Sequence, residues 1–202
     1  MKQNKVIGLT GGIASGKSTV SKYLKSNDYP VVDADEISRE VVEVNKPAYK
    51  KIVKNFGKEI LNSDLSINRE KLGSIIFKDD KLRLKLNKII HPNIIKTIKK
   101  RTNEYLEKYR VVFLDIPLLL ETRKELEGKG INFDEIWLVY AYENQQLDRL
   151  MKRDNLDKES AIKRIKAQKP LNEKINEADV VIYNTDTKIL LIEKIKKLLQ
   201  EL

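Results

Sequence analysis

The sequence of 202 residues contains no cysteine. That excludes disulfides, thiolate metal sites and a thiol nucleophile, and it is the composition expected in a reducing compartment. Histidine occurs once, as His91 before Pro92, with no metal-ligating neighbour in sequence; a lone histidine of this kind is expected to be a satisfied structural residue. Aromatic residues make up only 6% of the chain, so the stacking platforms of a single-strand nucleic-acid binder are scarce. Long apolar runs are missing as well. The start, Met1-Lys2-Gln3-Asn4-Lys5-Val6, leads into an apolar run of a few residues before Gly11, far too short for a signal segment or a membrane span. A cytoplasmic protein without a membrane partner is expected. There is no internal repeat, low-complexity tract or linker rich in proline and glycine, and the length matches about one domain of ~100–200 residues. One compact monomeric unit over 1–202 is therefore expected.

What is present is a chain 41% hydrophobic and 35% charged, enough apolar material for a packed core. With 40 Lys+Arg against 30 Asp+Glu the net charge is +10, which favours anionic partners: nucleotides, phosphorylated metabolites, nucleic acid or a membrane surface. The sign of the charge does not choose among these, but the spread of lysines along helical stretches and the shortage of aromatics speak against nucleic acid.

Short apolar runs suited to buried strands occur at Val6-Ile7-Gly8-Leu9-Thr10, Val31-Val32, Val111-Val112-Phe113-Leu114, Ile136-Trp137-Leu138-Val139 and Val180-Val181-Ile182. Helical patterns separate them, an alternation that argues for a parallel sheet covered on both faces. Between the second and third runs the spacing is helical throughout: Ile52, Val53 and Phe56, then Leu72, Ile75 and Ile76, then Leu82, Leu86, Ile89 and Ile90. Gly57 reads as a helix C-cap and Pro92 as the first residue of a new helix. These patterns predict an α/β core over about 1–37, 109–146 and 178–202, with a helical insertion at about 38–108. A second helical excursion over about 147–177 carries Arg149, Lys152, Arg153, Lys163, Arg164 and Lys166; it is either a solvated basic helix pair or a lid over an anion.

Gly11-Gly12-Ile13-Ala14-Ser15-Gly16-Lys17-Ser18 fits the pattern G-x-x-x-x-G-K-[ST], between a strand and a helix as its mechanism requires. Glycines let the backbone wrap a phosphate chain with N–H groups turned inward at the positive end of the following helix. Lys17 then reaches the β- and γ-phosphates, and the Ser18 hydroxyl is a ligand for Mg²⁺. A GTPase is not indicated, because Asp115-Ile116-Pro117-Leu118 lacks the glycine of D-x-x-G and Asn184-Thr185-Asp186-Thr187 lacks the lysine of N/T-K-x-D.

The second apolar run leads into Asp33-Ala34-Asp35-Glu36. The spacing of Asp33 to Glu36 suggests a capping box, with metal work as the alternative for Asp33. Asp35 belongs to the first helical turn, where the helix dipole favours a carboxylate; equally, at the carboxyl end of a strand, it is placed to take a proton from an acceptor hydroxyl. Asp115 ends the third run in a Walker-B arrangement, a carboxylate for Mg²⁺, with a strand-end cap as the alternative.

Taken together these residues resemble the dephospho-CoA kinase family from end to end. The resemblance is carried by Gly8 through Val20, Asp33-Ala34-Asp35 with Arg39-Glu40-Val41-Val42, His91-Pro92, Asp115-Ile116-Pro117-Leu118-Leu119 with Glu121, Gln146 through Arg149 to Arg153-Asp154, Arg164 with Gln168, and Ala178 through Ile182 with Asn184. It implies a P-loop kinase fold with a five-stranded parallel sheet flanked by helices, a helical substrate region and a helical lid. It further implies ATP-dependent phosphorylation of the ribose 3′-hydroxyl of dephospho-CoA, with Mg²⁺ as cofactor. A kinase of another small acceptor, such as a nucleoside monophosphate, is the alternative.

By the same resemblance, ATP is held by Gly11, Gly12, Ile13, Ala14, Ser15, Gly16, Lys17, Ser18, Thr19, Arg149 and Asn184, and Mg²⁺ by Ser18 and Asp115. Asp33, Asp35, Arg39, His91, Asp115 and Leu118 face the acceptor. Asp35 is the implied general base, and Lys17 and Arg149 act on the moving phosphoryl. Two departures stand out. Residues 122–132 form a longer segment than usual, expected to lengthen a surface loop, and no glycine follows Asn184.

Overall fold

The computed structural model describes residues 4–77 and 79–202; the expectation about the chain start falls in part on residues 1–3, outside the described ones. By density of internal contacts the chain divides into one unit of residues 1–32 and 102–202 and another of Asp33–Arg101.

The first unit is built on five strands: β1 (Lys5–Gly11), β2 (Val31–Asp33), β3 (Val111–Asp115), β4 (Glu135–Tyr140) and β5 (Val180–Tyr183), in the order β2-β3-β1-β4-β5. β1 pairs in parallel with β3 and β4, and β4 with β5, as crossover helices require. Ile7, Leu9, Phe113, Trp137, Val139 and Ile182 are buried together with Val20 and Leu24 of α1 (Lys17–Ser26). Trp137 packs edge-on against Phe113 with ring centroids 5.3 Å apart. The unbroken apolar runs of the sequence are thus strands buried on both faces.

In the second unit α2 (Ala34–Glu40) and α3 (Pro47–Phe56) precede a 3₁₀ turn at Lys58–Ile60, then α4 (Arg69–Phe77) and α5 (Asp80–Leu106), which runs on past the unit's boundary. Ile52, Phe56, Ile60, Leu72 and Leu86 form its core. Gly57 caps α3 with φ 84°. Pro92 corrects the sequence reading: it does not start a helix but lies inside the 27-residue α5. A proline within a helix removes one N–H bond to the carbonyl four residues back; the next side chain, Asn93, donates to the Ile89 carbonyl at 2.9 Å.

Residues after β3 bring a second correction. The segment expected as surface loop is helical through Gly128, in α6 (Leu119–Gly128). Its composition, rich in Glu, Lys, Arg and Leu, favours helix, and ion pairs one turn apart, Arg123–Glu127 and Glu125–Lys129, run along it. The remaining helices are α7 (Glu143–Asp154), α8 (Lys158–Lys166), α9 (Leu171–Lys174) with a 3₁₀ turn at Ile175–Glu177, and α10 (Lys188–Gln200).

Lys174 of α9 is fully buried, with its ammonium 2.6 Å from Glu121 Oε1 of α6. A buried charge that loses its partner is strongly destabilising, by about 3–5 kcal/mol. Glu121→Ala is therefore expected to lower the urea midpoint sharply, and Lys174→Met in the same chain to restore most of the loss. An additive double variant would show that the pair carries no coupling.

Candidate active site

β1 ends at Gly11 and α1 begins at Lys17, so the glycine loop turns within five residues. The turn needs left-handed backbone at Ala14 (φ 57°) and at Gly16 (φ 101°). At Gly16 the demand is double, because a Cβ there would run into the Asn184 side-chain amide. α1 has no side-chain N-cap bond and no acidic residue in its first turn. The N–H groups of Lys17 and Ser18 precede the first intrahelical bond and sit at the positive end of the helix dipole, an arrangement suited to an anion.

The loop is held from the other side of the chain's sequence. Gln146 of α7 donates to the Ile13 carbonyl at 2.6 Å, and the Ile13 N–H donates to Gln168 Oε1 at 2.8 Å. Asn184, just beyond β5, donates from Nδ2 to the Ser15 carbonyl at 2.8 Å, and its own carbonyl accepts from Arg149 Nη2 at 3.0 Å. Two polar atoms in this arrangement are buried without a hydrogen-bond partner: Ser15 Oγ and Arg149 Nη1. Burying such groups unpaired is costly, and an anionic oxygen is the partner that suits both.

Lys17 forms an ion pair with Asp115, whose carboxylate is nearly inaccessible at the end of β3. The register that sets Leu9 opposite Asp115 brings the end of β3 beside the start of the loop. Ser18 is exposed in the first turn of α1, and Thr19 bonds back to the Gly16 carbonyl at 2.9 Å. Ser18 and Asp115 offer a hydroxyl and a carboxylate, hard oxygen donors of the type Mg²⁺ takes alongside water and phosphate oxygens. No group of three or more His, Cys, Asp or Glu side chains suited to a metal occurs among the described residues. The donor set fits a metal carried in mainly by phosphates.

Arg149 and Arg153 lie one turn apart on α7 but take separate partners. Arg153 Nε donates to Asp154 at 2.7 Å and Arg164 Nη1 of α8 to the same carboxylate at 2.9 Å. The bond from Arg153 holds the Asp154 carboxyl below its ordinary range, with the Arg164 charge adding to it. Asp154 thereby ties α7 to α8 across the left-handed Asn155.

The other residues singled out in the sequence, Leu118 apart, lie in the unit of 33–101. Asp33 caps α2, accepting from the Asp35 and Glu36 N–H groups at 3.0 and 3.1 Å. The Asp35 side chain is exposed in the first turn of α2, and Arg39 is exposed near its end. His91 is exposed on α5, and Leu118 is exposed at the start of α6 in the first unit. Sequence reading gave Gln146 and Gln168 no role in the site. Their one sequence signal is their part in the family resemblance; the burial of Gln146 on α7 beside polar neighbours is not revealed by a pattern of apolar residues.

The family model for dephospho-CoA kinase matches residues 5–189. A dephospho-CoA kinase of Bacillus thuringiensis subsp. konkukian is 49% identical over 183 residues, 90% of this chain and 89% of that protein. Among solved structures, TT1252 from Thermus thermophilus superposes with a TM-score of 0.79 at 31% identity, covering 100% of this chain and 99% of that one. A dephospho-CoA kinase from Campylobacter jejuni gives 0.73 at 27% identity, over 97% and 96% of the two chains. A glycine loop, its lysine paired to a strand-end aspartate and a match over nearly the whole length lead to one conclusion: the chain belongs to the dephospho-CoA kinase family.

Proposed function

We infer that this chain transfers the γ-phosphoryl of ATP to the ribose 3′-hydroxyl of dephospho-CoA, giving coenzyme A and ADP. The observation that carries the reading is the braced loop, with Ser15 Oγ and Arg149 Nη1 buried and unsatisfied around it, in a chain of this family. The N–H groups of Ala14, Gly16, Lys17 and Ser18 and the Lys17 ammonium hold the β- and γ-phosphates, while those of Ile13, Ser15 and Thr19 bond within the protein. Asp35 takes the 3′-hydroxyl proton as that oxygen bonds to the γ-phosphorus; the bond from the γ-phosphorus to the bridging oxygen breaks, and its electron pair leaves with ADP. Mg²⁺, when bound through Ser18 and Asp115, neutralises charge on the phosphate oxygens.

Asp33 caps α2 and so fixes where Asp35 begins the helix, while Arg39, His91 and Leu118 contact the acceptor. Residues 147–177 act as a lid that excludes water, which otherwise competes as acceptor. All these groups come from one chain, so a monomer in the cytoplasm suffices. No helix among the described residues is long and apolar enough to cross a membrane.

Arg149 is the lid residue assigned to the moving phosphoryl. Arginine presents a planar fork to phosphate and lysine a point charge. Arg149→Lys is expected to lower the single-turnover rate at least tenfold while ATP affinity without acceptor changes less than twofold. Unchanged kinetics would remove Arg149 from the reaction. The reading as a whole is tested with a panel of acceptors: ADP release should rise with dephospho-CoA and not with nucleoside monophosphates. The reverse order would make the chain a nucleotide kinase.

A further inference from the structure

Ile13, within the glycine loop, gives both of its backbone polar groups to glutamine side chains. Its N–H donates to Gln168 Oε1 at 2.8 Å, and its carbonyl accepts from Gln146 Nε2 at 2.6 Å. Two residues on, the Ser15 carbonyl accepts from Asn184 Nδ2 at 2.8 Å. No peptide bond among the described residues is cis, and in a planar trans unit the carbonyl and the N–H of the next residue point in opposite directions. A side chain that draws the Ile13 carbonyl toward α7 therefore turns the Ala14 N–H away from α7. By the same geometry the bond from Asn184 turns the Gly16 N–H away from the end of β5.

The pairing of the loop N–H groups follows this alternation. Those of Ile13 and Ser15 are bonded within the protein, to Gln168 and to the Gly12 carbonyl. Those of Ala14 and Gly16 have no acceptor among the described residues, although both residues are half-buried. Ala14 reaches this arrangement with φ 57°, a left-handed backbone that is unfavourable for alanine and persists where the surroundings impose it. Gln146 is placed to impose it. Its side chain is buried on α7, where a polar group is retained through the hydrogen bonds it makes, and its amide is committed to the loop.

We propose that Gln146 is a positioning residue for phosphoryl transfer: by holding the Ile13 carbonyl it aims the Ala14 N–H at the phosphate chain of ATP. The proposal rests on the reading of the loop as an ATP site given above. Gln146 acts through the 13–14 peptide, whose N–H meets the anion already oriented and so needs no reorganisation when charge arrives. Without the bond from Gln146 this peptide is free to turn over, which would present a carbonyl oxygen to the phosphates. Asn184 holds the 15–16 peptide separately and makes Gly16 an internal reference.

The test uses Gln146→Met, which keeps the length of the side chain and removes the donor. ATP affinity without acceptor, read by calorimetric titration, is expected to fall about five- to tenfold, the scale of one hydrogen bond. KM for ATP should rise with it while KM for dephospho-CoA stays within about twofold. Amide resonances of isotope-labelled protein supply the readout that a merely supporting role would not move. In wild type the Ala14 and Gly16 signals should both move downfield when ATP is added; in Gln146→Met the Ala14 shift should be lost and the Gly16 shift kept. Should Gln146→Met fail to fold, Gln146→Asn, polar but one methylene shorter, carries the same comparison with an expected affinity loss of about two- to fivefold. Retention of the Ala14 shift in a folded variant, or loss of both shifts together, overturns the role of Gln146. Absence of turnover of dephospho-CoA by a wild type that binds ATP overturns the functional reading instead, and the two amide signals still decide what Gln146 does.

Discussion

Asp35→Asn is expected to lower kcat by roughly 10²-fold or more with little change in stability, since general-base catalysis contributes about 10²–10⁴. The Asp35 side chain is exposed in the first turn of α2, so the amide costs the fold almost nothing. Asp33 provides the internal comparison. Its carboxylate accepts two N–H bonds at the start of α2, and asparagine caps a helix about as well as aspartate. Asp33→Asn should therefore leave kcat within about tenfold. Equal large losses at both positions would place Asp33 in the metal shell and reverse the division.

Lys17→Ala is expected to cost at least about 3 kcal/mol of transition-state stabilisation, roughly two decades of rate at 1.36 kcal/mol per decade. The pairing of Lys17 with the nearly inaccessible Asp115 adds a consequence invisible in the motif: the substitution strands a buried carboxylate, so a drop in melting temperature should accompany the kinetic loss. Adding Asp115→Asn removes the stranded charge and should recover stability without recovering rate. A double variant that regains turnover would mean that Lys17 serves Asp115 and not the phosphates.

The sheet was legible because each strand is a short apolar run, and buried parallel strands leave no alternation to confuse with a helix. The glycine loop was legible because its function is written in local backbone demands, such as the left-handed Gly16. Reading failed where tertiary context overrides a local rule. Pro92 is a boundary signal in sequence, yet α5 runs through it, with Asn93 bonding the carbonyl at Ile89. The segment after Glu121 reads in sequence as an added surface loop, but its residues are good helix formers and lie in α6 as far as Gly128. The bracing of Ile13 by Gln146 and Gln168 spans 133 and 155 residues of chain, beyond any local window.

Transfer to the ribose 3′-oxygen is read from the product itself. Purified protein incubated with ATP, Mg²⁺ and dephospho-CoA should yield ADP and coenzyme A in equal amounts, with phosphorus NMR showing one new phosphomonoester on the ribose 3′-oxygen. ADP accompanied by inorganic phosphate, or a phosphate on any other oxygen, would contradict it.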